Sequence, residues 1–281
     1  MVNVWNPDFA QSAPAFAPLR EAARELRTPA WPCSADFNRL LAARATPVIN
    51  AAGRALSFVA PAPRAVGFAD KYESRIFLRG EEQFRAGDWH DVFNAFAWLT
   101  FPRAKAALNE RHYHALEERR TSGERHAGNR SALQDALTLL DESGVIVATS
   151  EPGLGRLLMA HTWKELFWRR RADVREHMRF YLFGHGLGEK MLRPFIGVTG
   201  RGLVCEVARD FMALPLAEQL AVIDGQIAER VGAPGRDLAA RDLTPVPLLG
   251  IPGWCADNED GRYYDNTAYF RPPKPIFRDR R

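Results

Sequence analysis

From Trp89 to Phe101 the chain reads WHDVFNAFAWLTF, with Asp88 placed to cap a helix ahead of it and Pro102 to begin a new one behind it. A helix this apolar has to be covered on most sides. Projected at ~100° per residue, His90, Asn94, Ala97 and Phe101 fall on one stripe. Polar side chains therefore share a face with apolar ones, and that face is expected to be buried or to line a cleft. The apolar run itself is about half the ~18–20 residues a membrane-spanning helix needs.

The rest of the chain fits around such a helix. With 281 residues, 46% of them hydrophobic, it lies near the upper size for one core, roughly 250–300 residues. Disordered, collagen-like and disulfide-miniprotein classes are excluded. Cys33, Cys205 and Cys255 are too scattered for a disulfide framework or CxxC metal clips. The first twenty residues show neither a basic region nor an apolar block of signal-peptide type, so cytoplasm and no membrane partner are the expectations.

The expected fold is α+β, a mainly helical single domain with a small β-hairpin or sheet element. A Pro- and Ala-rich helical segment, 1–70, is expected to pack on a main body, 71–244. An extended Pro- and aromatic-rich tail, 245–281, follows and is expected to lay its rings on that body. Short helices are read at LREAAREL and from Asp36, and a strand near Leu56–Val59. YESRIFLRGE is extended or helical up to Gly80. PRAKAALNERHYHALEERR forms the helix after Pro102 and runs out in a polar stretch, TSGERHAGN, read as a loop. In DALTLLDESGVIVATS, Ala136–Leu140 and Val145–Thr149 read as the arms of a hairpin over 136–149, with Gly144 in its turn. Residues 155–193 read as helical. RGLVCEVA is a strand candidate, and a last helix runs from Pro215 to Gly232.

Candidate chemistry lies on these elements. His90 and Asp91 place an imidazole beside a carboxylate, the pairing of a metal site or a general base. Without a second His and Asp at known spacing they do not define a metal-dependent HD phosphohydrolase. On the following helix Lys105, Asn109 and His112 form a stripe that either lines a cleft for an anion or is a solvated face. FGHGLGEK sets His185 and Glu189 at i, i+4, one half of a metal site on a helix. Its glycines match neither a phosphate loop nor a dinucleotide fingerprint, because Glu189 interrupts both patterns; close helix packing accounts for them better. Asp141 and Glu142 stand at the hairpin mouth, as acids of a metal-dependent nuclease would. ADNEDG lacks the ends of an EF-hand loop, and no GxSxG elbow occurs.

Charge adds a second theme. The net charge is +4, yet nine Arg or Lys face four Asp or Glu between Arg156 and Arg193. Arginines 169 to 171 point in three directions on a helix, so only one or two of them serve a phosphate. A GC-rich coding bias also explains the arginine content.

YESRI (Tyr72–Ile76), WHDVFNAFAWLTFPRAKAALN, LQDALTLLDESGV, FGHGLGEK and the tail blocks PVPLLGIPGW and YYDNTAYFRP together resemble an uncharacterised bacterial domain-of-unknown-function family, domain of unknown function 3025. The resemblance spans about residues 70–275. It implies a cytoplasmic bacterial protein and brings no established activity with it.

Two functions remain open on the residues. In the first, a divalent metal held by His90, Asp91, His185 and Glu189 serves hydrolysis of a phosphoester or nucleic acid. His90, Asp91, Lys105, Asp141 and Glu142 would then do the chemistry, and Asn94, Asn109, His112, Arg75, Arg169 and Arg170 would bind the phosphate-bearing ligand. In the second, the chain is a non-catalytic nucleic-acid- or protein-binding module whose buried His, Asp and Glu are structural.

Overall fold

A computed structural model describes residues 4–26, 28–61, 67–121, 131–233, 235 and 237–272. Its elements run α1 (Arg20–Leu26), α2 (Ser34–Ala43), β1 (Ser57–Val59), α3 (Tyr72–Arg79), β2 (Glu81–Gln83), α4 (Trp89–Thr100) and α5 (Pro102–Thr121). There follow α6 (Ala132–Ser143), β3 (Gly144–Thr149), α7 (Pro152–Met159), α8 (Arg171–His177), β4 (Met178–Leu182), α9 (His185–Met191), β5 (Thr199–Glu206), α10 (Leu216–Gly232) and β6 (Thr244–Pro247). The fold is mainly helical α+β. No helix among the described residues is long and apolar enough to cross a membrane.

Helix α4 is built as its sequence suggests. The Asp88 carboxylate accepts from the His90 backbone N–H at 2.9 Å, and Trp89, Val92, Phe93, Phe96 and Trp98 are buried. A four-stranded sheet, in the order β4-β3-β5-β6, carries the other half of the core. Strand β3 runs antiparallel to β4 and parallel to β5. All of its residues are buried. Val145 and Val147 pack into a cluster with Phe93, Phe96 and Trp98, which also takes in Phe9 and Phe16 near the N-terminus and Tyr264 and Phe270 near the C-terminus. Ile146 and Ala148 point the other way, against Leu137, Leu140, Ile223 and Ile227. This two-residue alternation lets one strand serve two cores. β1 and β2 form a separate parallel pair.

Two expectations are corrected. The hairpin over 136–149 is not formed, because its first arm is the helix α6. Ser131 accepts from the Gln134 N–H, and the Gln134 side chain accepts from the Ser131 N–H, closing a capping box. Ala136, Leu137 and Leu140 then fall on one buried helical face. A short apolar run fits either period, and here the cap decides it. Asp141 and Glu142 thus lie in the last turn of a helix that passes straight into β3. The helical reading of 155–193 is also broken, since Met178–Leu182 pairs with β3 as β4. The polar stretch 121–129, from residue 122 on, the break at Pro63, and the tail beyond 272 lie outside the described residues.

Helix α9 is seated by glycines. A Cβ on Gly184 would stand 2.4 Å from the Gly144 nitrogen and 2.5 Å from that of Ser143; on Gly188 it would stand 2.7 Å from the Phe93 ring. A Cβ on Gly186 would come within 2.6 Å of a Glu142 carboxylate oxygen. These close approaches press the start of α9 onto α4 and onto the α6–β3 joint. Gly184→Ala collides with backbone that cannot step aside. The substitution should cost about 1–3 kcal/mol or more, read as a lower urea midpoint with an unchanged slope. An unaltered midpoint would refute the tight seating.

Candidate metal centre

Three elements deliver the central group. His90 comes from the first turn of α4, His185 opens α9 and Glu142 lies in the last turn of α6. The two Nε2 atoms are 3.0 Å apart. The Glu142 carboxylate is 3.5 Å from His185 Nε2 and 3.9 Å from His90 Nε2. These donor atoms lie within 4.8 Å of one another, so His90, Glu142 and His185 can hold a metal ion. Bonds of about 2.0–2.2 Å in a tetrahedron set ligand atoms roughly 3.3–3.5 Å apart, and the observed separations bracket that spacing. Each ring also has a carboxylate behind its other nitrogen. Asp141 stands 3.7 Å from His185 Nδ1, and Glu189 stands 3.9 Å from His90 Nδ1. Such outer carboxylates orient metal-bound imidazoles and raise their basicity. His185 Nδ1 is buried and has no hydrogen-bond partner at closer range.

The group opens on a cavity of about 240 Å³, whose walls include Tyr72, Glu73, Glu82, Arg85, His112 and Asp141. Lys105, only 4% exposed, donates to Asp141 at 2.5 Å and to the Asn94 side-chain carbonyl at 2.9 Å. Asn94 in turn donates to the Tyr72 hydroxyl at 3.1 Å. Burial alone would raise the Asp141 carboxyl, but the Lys105 ammonium and His185 outweigh it and hold it at about 2. His185 likewise holds Glu142 below the usual carboxylate range, against partial burial. At Glu73 and Glu82 the Lys105 charge is outweighed by burial. Burial pushes them up to about 8 and about 7, so both hold protons near neutrality.

The candidate residues separate into those that converge and those that do not. His90, Asn94, His112, Asp141, Glu142 and His185 line the cavity, and Lys105 reaches it through Asp141 and Asn94. Asp91 also lines it, but its carboxylate is held by the Arg85 guanidinium at 2.7 and 2.9 Å and by the Arg85 backbone N–H. It is therefore paired with Arg85 and is not one of the clustered donors. Glu189 backs His90 instead of joining the closest donor set. Asn109 donates to Glu73. Arg75 is paired with Glu81 at 2.7 Å. Arg169 and Arg170 bond to Glu165, Glu151 and Asp173. These three arginines lie outside the cavity wall.

Tyr72, Glu73, Glu82 and Arg85 were not read from the sequence as site residues. Tyr72 and Glu73 sit inside the YESRI block, which is a usable signal. Glu82 occupies the middle of a three-residue strand, where no periodicity marks an inward-facing acid.

The pH dependence of stability follows from these carboxyls. Glu73 and Glu82 bind protons more tightly folded than unfolded, so stability should fall as pH rises from about 4.5 through 7 and 8. Asp141 acts in the opposite sense, and its contribution should be lost as pH falls below about 4 toward 2. Thermal unfolding across this range should show both limbs, and Glu82→Gln should flatten the alkaline one. An alkaline limb of unchanged steepness in that variant would contradict the assignment.

Neither the curated proteins nor the solved structures contain a match to this chain. A family model does match, over residues 56–274, a span that holds β1, the sheet, the imidazole pair and every residue of the cavity wall. The chain therefore belongs to the family described as protein of unknown function (DUF3025).

Proposed function

We propose that the protein is a metal-dependent hydrolase acting on a phosphoester, with His90, His185 and Glu142 holding one divalent cation at the cavity. The observation that carries this reading is the meeting of two Nε2 atoms and a carboxylate from three helices, each imidazole backed by a further acid. Two nitrogens and one oxygen form a donor set that zinc accepts with a position left open. A cation there would supply a nucleophile from water near neutral pH and stabilise charge on a phosphoryl oxygen.

The attraction for an anionic substrate would come from the cation itself, because most charges around it are already paired. Arg85 neutralises Asp91 and Lys105 neutralises Asp141. Burial pushes Glu73 up to about 8 and Glu82 up to about 7, so Glu73 is mostly protonated and Glu82 about half protonated near pH 7. Glu142 and the outer Glu189 are then the carboxylates nearest the cation without a cationic partner of their own. Hydrogen bonds from Lys105 hold the Asp141 carboxylate and the Asn94 side-chain carbonyl in place. His112 and Thr138 add polar side chains to the wall for the substrate. A cavity of about 240 Å³ suits a small phosphomonoester.

Elemental analysis of the dialysed protein tests the centre. Wild type should retain about one divalent metal per chain, and His90→Ala and His185→Ala should each lose it. Release of 4-nitrophenol from 4-nitrophenyl phosphate should require the metal and drop to background in His185→Ala. A wild type that binds neither zinc nor manganese overturns the reading, and leaves the imidazole pair as a structural hydrogen bond.

A further inference from the structure

We infer that Glu82 is the acid that gives a proton to the leaving group in the hydrolysis proposed above, and the inference rests on that reading. Glu82 is 1% exposed and forms part of the same cavity wall as His90, Glu142 and His185. The cavity, about 240 Å³, has both the imidazole pair and Glu82 on its wall. Its two oxygens are not equivalent. Oε2 accepts from the Trp98 indole N–H at 2.9 Å, which keeps that oxygen unprotonated and fixes the plane of the carboxyl. Oε1 is buried with no hydrogen-bond partner. A proton on this carboxyl therefore resides on Oε1.

The groups around it decide whether the proton stays. Burial is the largest influence and raises the carboxyl to about 7. Asp141 from α6 pushes the same way, against Lys105 from α5, the Tyr72 hydroxyl from α3 and the indole from α4. Glu73, also on α3, feels Glu82 in turn. A carboxylic acid kept neutral by its surroundings near the working pH is well matched to protonating an alkoxide.

In the step, a water oxygen bonds to phosphorus, one of its protons remaining on the product phosphate and the other passing to solvent. The bond from phosphorus to the leaving oxygen breaks, and its electron pair moves onto that oxygen. The oxygen takes the Glu82 proton from Oε1, and solvent returns a proton to Glu82. No oxidant or further reactant is needed.

The test compares two substrates of the metal-loaded protein by phosphate release. 4-Nitrophenyl phosphate has a leaving group that departs without a proton; glycerol 2-phosphate does not. Glu82→Gln should lower kcat/KM for glycerol 2-phosphate by about 100-fold or more and leave 4-nitrophenyl phosphate within a few-fold. Should the variant lose its fold by circular dichroism, wild type alone decides. Its rate on glycerol 2-phosphate should fall above about pH 7, while the rate on 4-nitrophenyl phosphate does not. Equal losses on both substrates, or parallel pH profiles, overturn the role of Glu82 with the hydrolase intact. Wild type inactive on both substrates overturns the hydrolase reading and this inference with it.

Discussion

The site depends on how closely two stretches of backbone approach each other. The Gly144 carbonyl accepts from the N–H groups of both Phe183 and Gly184, at 3.0 and 2.9 Å. Glycine at 184 removes the Cβ that would otherwise stand inside that contact. Glu142 lies two residues before one partner and His185 one residue after the other, so the contact carries both toward His90. The same joint starts β3, whose alternate residues serve the two apolar clusters. Sheet, core and polar site therefore share one point of assembly, and a displacement there is felt by all three.

Around that joint the chain buries several ionisable groups, which is costly without partners. It meets the cost in two ways. Lys105 and Asp141 face each other as an ion pair, with Asn94 sharing the ammonium. Glu73 and Glu82 are instead pushed toward their protonated forms by burial. A buried ion pair is not in itself a strong source of stability, and an apolar core of similar volume would hold the helices together as well. The polar interior is better understood as a built cavity wall, in which fixed dipoles and proton-holding carboxyls surround the imidazole pair.

Much of the framework was legible because its signals are local. The Asp88 cap, Pro102 at the head of α5, Gly232 at the end of α10 and the strand around Val204 each depend on residues adjacent in sequence. The capping box at Ser131 and Gln134 was just as local, yet the alternation of DALTLLDESGV suggested a hairpin arm. As a result Asp141 and Glu142 were named as site residues from a turn that does not exist. Met178–Leu182 read as helix because its strand character comes from pairing with β3, a partner distant in sequence. Arg75, Arg169 and Arg170 looked available because the carboxylates that occupy them cannot be matched to them from composition.

The sequence by itself determined most of the elements apart from α6 and β4, the burial of α4 and the identity of His90 and His185 as polar groups among apolar ones, since periodicity, caps and breaks act within a few residues. Only the tertiary structure decided that these imidazoles, 95 residues apart, face each other at 3.0 Å, that Glu142 rather than Asp91 completes the trio, and that Glu82 turns inward. Those outcomes follow from the close seating of α9 on α4 and the α6–β3 joint, and the closeness of two surfaces is a property of neither strand of sequence alone.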